Sequence, residues 1–189
     1  SAARQNMLRA AGFDFEASPA DIDEKEITQA QLTAGALPQD IAMTLAHEKA
    51  LQIARNAPDA LVIGSDQILE SEGRLLNKAA NENEARNKLK NLRGKIHHLF
   101  SAVAVAKNEK ILWSHTGRAD LTMHDFSDEF LNSYIGKAGA ALTRSVGAYE
   151  LESHGVNLFE NIEGDYFTIL GMPLLPLLTY LRREQGIGV

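Results

Sequence analysis

The sequence Ala60-Leu61-Val62-Ile63-Gly64 is a continuous apolar run, and Ser65-Asp66-Gln67 follows it directly. An apolar run of this length without alternation is typical of a strand that is buried on both faces. Before it, Pro38 stands where a helix would start, and residues 39–56 carry apolar side chains on one arc at helical spacing. Pro58-Asp59 is predicted to break that helix. A helix, a turn and a buried strand in this order predict an α/β sheet.

The flanking segments give the other predicted elements. The acidic segment 18–36 has little periodicity and is predicted to be mostly loop, with room for a short helix. Asn81 and Glu84 have the spacing of a capping box, which predicts a helix that ends at Gly94. Further helices are predicted at 1–11, 127–134 and from 173 onward, and strands at 13–15, 99–106, 110–123 and 166–170.

The composition bounds the class of protein. The chain has 189 residues, of which 44% are hydrophobic, and 19 Lys and Arg against 25 Asp and Glu give a formal net charge of −6. Disordered, collagen-like and coiled-coil proteins are excluded, because a chain of this length and composition can bury a sizeable core. The absence of cysteine excludes disulfide frameworks, thiolate nucleophiles and Cys-bound metal sites. No repeat or linker divides the chain, so a single domain over residues 1–189 with a small lobe is predicted.

The same features limit the partners. The acidic net charge argues against a general nucleic-acid binder, which needs a positive field, whereas a small anionic ligand needs only a few local cations. No apolar run approaches the ~20 residues of a membrane-spanning helix, and no signal peptide precedes the first motif. We therefore expect no membrane association and a cytoplasmic location. The sequence signatures of phosphate-loop proteins, dinucleotide binders and serine hydrolases are absent.

Lys49 is the most informative single residue. It shares a spacing of four with Ile41, Leu45 and Ile53, so it lies within the apolar arc of its helix. One interpretation is a lysine whose stem packs against the core while its ammonium reaches water. The other is an inward cation that meets a bound anion, because an unpaired buried charge is costly.

Two acidic positions are candidates for metal binding or catalysis. Asp66 directly follows the buried strand, and a carboxylate at the carboxyl end of a strand is placed for water activation or metal ligation. The alternative is an ordinary aspartate in a strand-ending turn. Glu24, next to Asp23 in the acidic segment, could supply a second oxygen ligand to a hard cation such as Mg²⁺, or could simply be solvated.

Two further cations are weaker candidates. Arg4 lies in the first turn of the opening helix, where free backbone N–H groups favour an anion and a guanidinium can add bidentate contacts to phosphate. Lys78 falls between a short strand and a capped helix, where a lysine is usually plain surface charge. Neither residue alone predicts a function.

Taken in order along the chain, these motifs resemble the Maf-like nucleoside triphosphate pyrophosphatases. The resemblance runs from residue 1 to about residue 182 and depends on the order and spacing of the motifs together. The matching pieces are Ser1-Ala2-Ala3-Arg4 with Met7-Leu8, Asp23-Glu24, Ala46-His47-Glu48-Lys49-Ala50, Gly64-Ser65-Asp66-Gln67, Lys78, Leu92-Arg93-Gly94 with His97, Gly164, and Leu170-Gly171-Met172-Pro173-Leu174.

The resemblance implies a fold, an activity and a set of roles. The fold would be a mixed twisted sheet flanked by helices, with a central cleft and a smaller lobe. The enzyme would be a nucleotide diphosphatase that cuts a nucleoside triphosphate between its α and β phosphates with Mg²⁺ or Mn²⁺. Asp66 would accept the proton of the attacking water and also touch the metal, which Glu24 would bind. The substrate-binding residues would be Arg4, Lys49 and Lys78, supported by Ser1.

Substrate preference divides the family into two branches. The branch that prefers dTTP and UTP carries an Arg where this chain has Ala3 and a Thr where it has Gln67. Gln67 and Glu152 look more like the 7-methyl-GTP branch, which we therefore favour. Ala3 lacks the bulky aromatic of that branch, which leaves a dTTP/UTP or broad-range pyrophosphatase as the alternative.

Some features depart from the family pattern. The family has a short apolar strand before the serine, whereas this sequence starts at Ser1, so that strand is either missing or not represented, and its loss would affect the phosphate site. Asn77 and Ala79 replace a Gly and a Pro beside Lys78, which is expected to alter that loop.

The family is also linked to septum formation and arrest of cell division, so a non-catalytic nucleotide-binding regulator is a second hypothesis. A phosphatase that releases orthophosphate is a third, and the oligomeric state, including a homodimer, stays open.

Overall fold

A computed structural model describes residues 1–57 and 59–188 of the chain. Its strands form one five-stranded antiparallel sheet in the order β2-β1-β3-β4-β5, flanked by helices, which confirms the predicted α/β class. The strands are β1 (Val62–Ser71), β2 (Arg74–Leu76), β3 (Ile96–Lys107), β4 (Lys110–Met123) and β5 (Phe159–Gly164). The helices are α1 (Ala2–Ala10), α2 (Glu24–Thr33), α3 (Pro38–Asn56), α4 (Glu82–Leu92), α5 (Asp128–Ala138), α6 (Ala141–Arg144), α7 (Tyr166–Ile169) and α8 (Leu174–Glu184), with a 3₁₀ turn at His154–Leu158.

The chain contains two compact units. The first comprises the described parts of residues 1–67, 100–117 and 165–189, and the second comprises residues 68–99 and 118–164. A single domain over 1–189 stays a prediction. Among the described residues, every helix is too short or too polar to cross a membrane.

Apolar side chains from α1, β3 and α8 form the core of the first unit. Trp113 of β4 stacks on Tyr180 of α8 with ring centroids 5.0 Å apart, which closes this core on one side. The fully buried members include Val103 and Val105 of β3 and Leu177 of α8. Burial at these positions explains why β3 has a continuous apolar stretch rather than an alternating one.

A close contact between α3 and β1 fixes the part of the first unit that carries the acidic and basic candidates. A Cβ atom on Gly64 would lie 2.4 Å from the Ala46 carbonyl oxygen and 2.7 Å from the Ala50 nitrogen. Only glycine allows this approach of strand to helix. It brings Lys49, on the helix, beside Asp66, which follows Gly64 by two residues on the strand.

The second unit has an aromatic and aliphatic core. Leu89 and Leu92 of α4 and Leu131 of α5 are buried in it. The Nε2 atom of the buried His97 lies 2.7 Å from the Tyr149 hydroxyl oxygen. The predicted cap of α4 is confirmed, because the Asn81 side chain accepts from the Glu84 N–H. The helix predicted to begin at Ser127 is also confirmed, and the Ser127 hydroxyl, which precedes α5, accepts from the Phe130 N–H.

Several predicted elements were wrong. Residues 166–170 form helix α7 and a turn instead of a strand, because the Asp165 carboxylate accepts from the Thr168 N–H and caps a helix start. Residues 13–15 lie outside the sheet. The acidic segment holds the ten-residue helix α2, capped by Asp23, and α5 continues through Gly136 to Ala138. By contrast, helix α3 ends at Asn56, as predicted. Pro58, part of the predicted break after this helix, lies outside the described residues.

Candidate active site

Lys49 binds two carboxylates at once. Its Nζ lies 2.5 Å from Asp66 Oδ1 and 2.8 Å from Glu24 Oε1. Only 19% of the Lys49 side chain is exposed, so the ammonium is turned inward rather than out to water. Lys49 thus has the inward orientation of the second interpretation, with carboxylates of the protein as its partners. Its contact with a bound anion stays a prediction.

Asp66 is the buried carboxylate of the first unit. Its side chain is 9% exposed. The prediction that Asp66 directly follows the strand is wrong, because β1 continues to Ser71 and Asp66 lies within it. Burial raises the pKa of Asp66 above its ordinary value, while the charges of Lys49 and Arg4 act against that rise. A buried carboxylate with a raised pKa that is held by a lysine ammonium is a candidate proton acceptor.

Glu24 is the exposed end of the same cluster. It is the first residue of α2, and 53% of its side chain is exposed. Its neighbour Asp23 is occupied as the helix cap, because its carboxylate accepts from the N–H groups of Lys25 and Glu26 at 3.1 and 2.9 Å. The two neighbouring acidic residues therefore have different roles: Asp23 caps α2, and Glu24 contacts Lys49.

Arg4 lies in the first turn of α1 and is partly buried. Its Nε donates to the Gly171 carbonyl at 2.8 Å. Among the described residues Arg4 makes no other hydrogen bond or ion pair, so four of the five guanidinium N–H groups remain for an anion. Burial lowers the pKa of Arg4, and the carboxylates of Asp66 and Glu24 oppose that shift.

Two predicted residues beside Arg4 occupy the start of α1. Ser1 is the exposed residue that precedes the helix, and Ala3 is partly buried in the first turn. The first unit therefore holds Ser1, Ala3, Arg4, Glu24, Lys49, Asp66 and Gln67.

Gln67 is held by the protein itself. Its Nε2 lies 3.0 Å from the Ser101 hydroxyl, 3.2 Å from the Thr168 carbonyl and 3.0 Å from the Ile169 carbonyl. The two N–H groups of this amide are thus directed at protein oxygens. A role of Gln67 in base preference stays a prediction.

Lys78 and Glu152 belong to the second unit. Lys78 is exposed on the loop between β2 and α4, at the edge of a pocket of about 340 Å³. The half-buried Lys88 ammonium donates to the Asn77 and Val146 carbonyls, and Glu84 accepts from the Ala80 N–H, so α4 holds the loop on both sides of Lys78. Glu152 is an exposed turn residue. The predicted convergence of Lys78 with Arg4 and Lys49 stays a prediction.

The donors for a divalent cation are two carboxylates. Among the described residues no cluster of three or more His, Cys, Asp or Glu side chains is arranged to hold a metal ion. Glu24 and Asp66, however, already bring one oxygen each to a single positive charge, the Lys49 ammonium. This oxygen pair suits a hard cation that takes its remaining ligands from water and phosphate, as Mg²⁺ usually does.

Sequence reasoning missed Ser65 and Gly171. Ser65 Oγ donates to the Ala102 carbonyl at 2.7 Å and to the Gly171 carbonyl at 3.1 Å. Its position directly before Asp66 was the available signal. Nothing in the local pattern indicates that the distant Gly171 carbonyl meets Arg4.

Comparison with known proteins identifies the family. The model described as Maf-like protein matches residues 1–184, nearly the whole chain. The chain belongs to the Maf-like family. The predicted resemblance is thereby confirmed.

Maf-like relatives cover this chain almost completely. One from Granulibacter bethesdensis, named nucleoside triphosphate pyrophosphatase, is 48% identical over 189 residues, which are 100% of this chain and 96% of that protein. One from Bradyrhizobium diazoefficiens with the same name is 49% identical over 189 residues, covering 100% and 93% of the two chains. One from Rhizobium meliloti, named 7-methyl-GTP pyrophosphatase, is 45% identical over 184 residues, covering 97% and 92%.

Proposed function

We propose that this Maf-like protein is a nucleoside triphosphate pyrophosphatase, a hydrolase that cuts between the α and β phosphates and releases the monophosphate and pyrophosphate. The observation that carries the proposal is the buried Asp66 carboxylate held at 2.5 Å by the Lys49 ammonium. The names of relatives at 48% and 49% identity support the same reaction.

Asp66 acts as the proton acceptor for the attacking water. Its raised pKa brings it closer to the range in which a carboxylate takes up a proton, and Lys49 keeps it oriented. As the water attacks the α phosphorus, its proton passes to an Asp66 oxygen, and the bond to the bridging oxygen of pyrophosphate breaks.

Arg4 and Lys49 bind the phosphate oxygens. Four N–H groups of the Arg4 guanidinium are directed to no described protein group, which suits bidentate binding of a phosphate. Lys49 lies within reach of both carboxylates and offsets negative charge next to them. Ser1, ahead of α1, supports this site.

A divalent cation, Mg²⁺ or Mn²⁺, would be held by Glu24 and Asp66. Bound there, it would offset the negative charge of the phosphates and lower the cost of bringing them beside carboxylates. Glu24 suits this role because its exposed side chain can reorient without leaving a buried charge. Asp66 then serves both the cation and the water.

The preferred substrate is proposed to be 7-methyl-GTP. Relatives with that name are 44% and 45% identical to this chain. Within the first unit, Gln67 and the small Ala3 are the residues proposed to contribute to this preference. A dTTP/UTP or broader preference is the alternative outcome.

The test is pyrophosphate release from 7-methyl-GTP, GTP, UTP and dTTP with Mg²⁺ or Mn²⁺. We expect release from at least one triphosphate, fastest from 7-methyl-GTP, and loss of at least ~10²-fold in Asp66→Asn. Asp14→Asn, an exposed position outside the site, is the matched control and should retain activity. Binding of nucleotide without turnover in the wild type would overturn the enzymatic proposal, and release of orthophosphate would indicate a phosphatase.

A further inference from the structure

The 168–171 turn, which comprises the last two residues of α7 and the two residues after it, is fastened to β1 by polar side chains. Gln67 donates to the Thr168 and Ile169 carbonyls at 3.2 and 3.0 Å. Ser65 donates to the Gly171 carbonyl at 3.1 Å. Ser65 and Gln67 are two residues apart on a strand, so they project from the same face. They hold three of the four carbonyls of this turn.

The same turn holds Arg4. The Gly171 carbonyl accepts from Arg4 Nε at 2.8 Å as well as from Ser65 Oγ, so a single oxygen joins the strand to the guanidinium. Donation through Nε fixes the plane of the guanidinium, because the group is flat and rigid. The charge of Arg4 in this position acts on the Asp66 carboxylate and that of Glu24.

Gly171 has a backbone that suits this contact. Its φ is +109°, a conformation that L side chains rarely adopt, and a Cβ would lie 3.3 Å from both Nε and Nη2 of Arg4. The glycine lets the carbonyl and the guanidinium approach closely.

A buried hydroxyl completes the arrangement. Ser101 Oγ donates to the Thr168 carbonyl at 2.7 Å and lies 3.0 Å from Gln67 Nε2. Ser101 is fully buried. Buried polar groups that are all satisfied make a local structure rigid, so the turn presents the Gly171 carbonyl at a fixed point.

We propose that Ser65 and Gln67 are positioning residues that fasten the 168–171 turn and, through the Gly171 carbonyl, fix the Arg4 guanidinium for phosphate binding. This inference rests on the proposed function of Arg4. It assigns Gln67 a part in phosphate binding, in addition to any effect on the base.

The kinetic test is a double-mutant cycle. Ser65→Ala removes one hydroxyl and is expected to lower kcat/KM for pyrophosphate release about five- to tenfold, mainly through KM. In an Arg4→Met background the same change should have an effect of less than about twofold, because Ser65 acts through Arg4. Gln67→Met should act in the same direction as Ser65→Ala. Thr179→Val removes a hydroxyl that also donates to a backbone carbonyl, on α8, and should leave kcat/KM unchanged.

A second measurement does not depend on activity. The Nε–H resonance of Arg4, assigned by its loss in Arg4→Lys, should exchange slowly with solvent in the wild type and at least about fivefold faster in Ser65→Ala, with Thr179→Val as control. Equal kinetic losses in both Arg4 backgrounds, or unchanged exchange in Ser65→Ala, would overturn the inference. Absence of turnover with the expected change in exchange would overturn the proposed function and leave the positioning of Arg4 intact.

Discussion

Replacing Lys49 with methionine removes the only cation that touches Asp66 directly among the described residues, while keeping a side chain of similar length. The remaining Asp66 carboxylate is 9% exposed and would lose its one direct ionic contact among the described residues, with the charge of Arg4 as the remaining favourable influence. Glu24 also loses its partner, but its side chain is 53% exposed and can be hydrated. The cost of Lys49→Met therefore comes from Asp66.

The expected loss in the free energy of unfolding is about 3 kcal/mol at pH 8, the low end for breaking a buried ion pair, because 19% of Lys49 is exposed. This loss depends on pH. Without Lys49 the pKa of Asp66 rises further above its ordinary value of 3.8, so the folded state binds a proton that the unfolded state has lost. The free energy of unfolding of the variant therefore falls, relative to the wild type, as the pH rises from 3.8 through the raised pKa of Asp66.

Urea unfolding at several pH values measures this. The difference between wild type and Lys49→Met should be below about 1 kcal/mol near pH 4 and grow towards pH 8. The double variant Lys49→Met/Asp66→Asn should regain most of the free energy of unfolding lost in Lys49→Met, because neither buried charge of the pair remains. Lys25→Met, an exposed position on α2, is the control and should change stability by less than about 0.5 kcal/mol. An equal loss at all pH values, or no recovery in the double variant, would refute the burial argument.

Three other predictions concern separate features. Burial lowers the pKa of His97 from its ordinary value of 6.5 to about 4, so between these two pH values the unfolded state binds more protons than the folded state. The free energy of unfolding should therefore fall by about 3 kcal/mol as the pH decreases from 6.5 to 4. In urea unfolding, the variant His97→Gln should show a smaller decrease over the same pH range. Gly64→Ala should cost about 1–3 kcal/mol in thermal unfolding, because its Cβ would meet the carbonyl of Ala46, whereas Gly136→Ala, with nothing within 4 Å on its helix, should be neutral or stabilising. Glu24→Gln should raise the Mg²⁺ concentration for half-maximal pyrophosphate release about tenfold with little change in stability, and an unchanged requirement would remove Glu24 from the metal site.

Local rules predicted the elements whose signals are local. The predictions of α3 from its apolar arc, of the Asn81 cap and of a helix that begins at residue 127 are confirmed, because each depends on residues within one or two turns. Helix α7 was missed, because its aromatic and β-branched residues favour a strand and the Asp165 cap decides otherwise. Propensity is a weak signal where a capping side chain competes with it.

The site was predictable in part. The position of Lys49 within an apolar arc left two orientations open for its ammonium, one that reaches water and one that is turned inward to an anion, and the structure shows the inward one. Its pairing with Asp66 depends on the contact of Gly64 with α3, which periodicity does not show. The hydrogen bonds of Gln67 and Arg4 to the turn at 168–171 join residues more than 100 positions apart, so no local pattern could predict them.

Hydrolysis of the preferred triphosphate in ¹⁸O-labelled water tests the central claim most directly. If Asp66 activates a water that attacks the α phosphorus, mass spectrometry should find one labelled oxygen in the nucleoside monophosphate and none in pyrophosphate, and Asp66→Asn should yield no labelled monophosphate over the same period. Label in pyrophosphate or orthophosphate, or labelled monophosphate from Asp66→Asn at the wild-type rate, would contradict it.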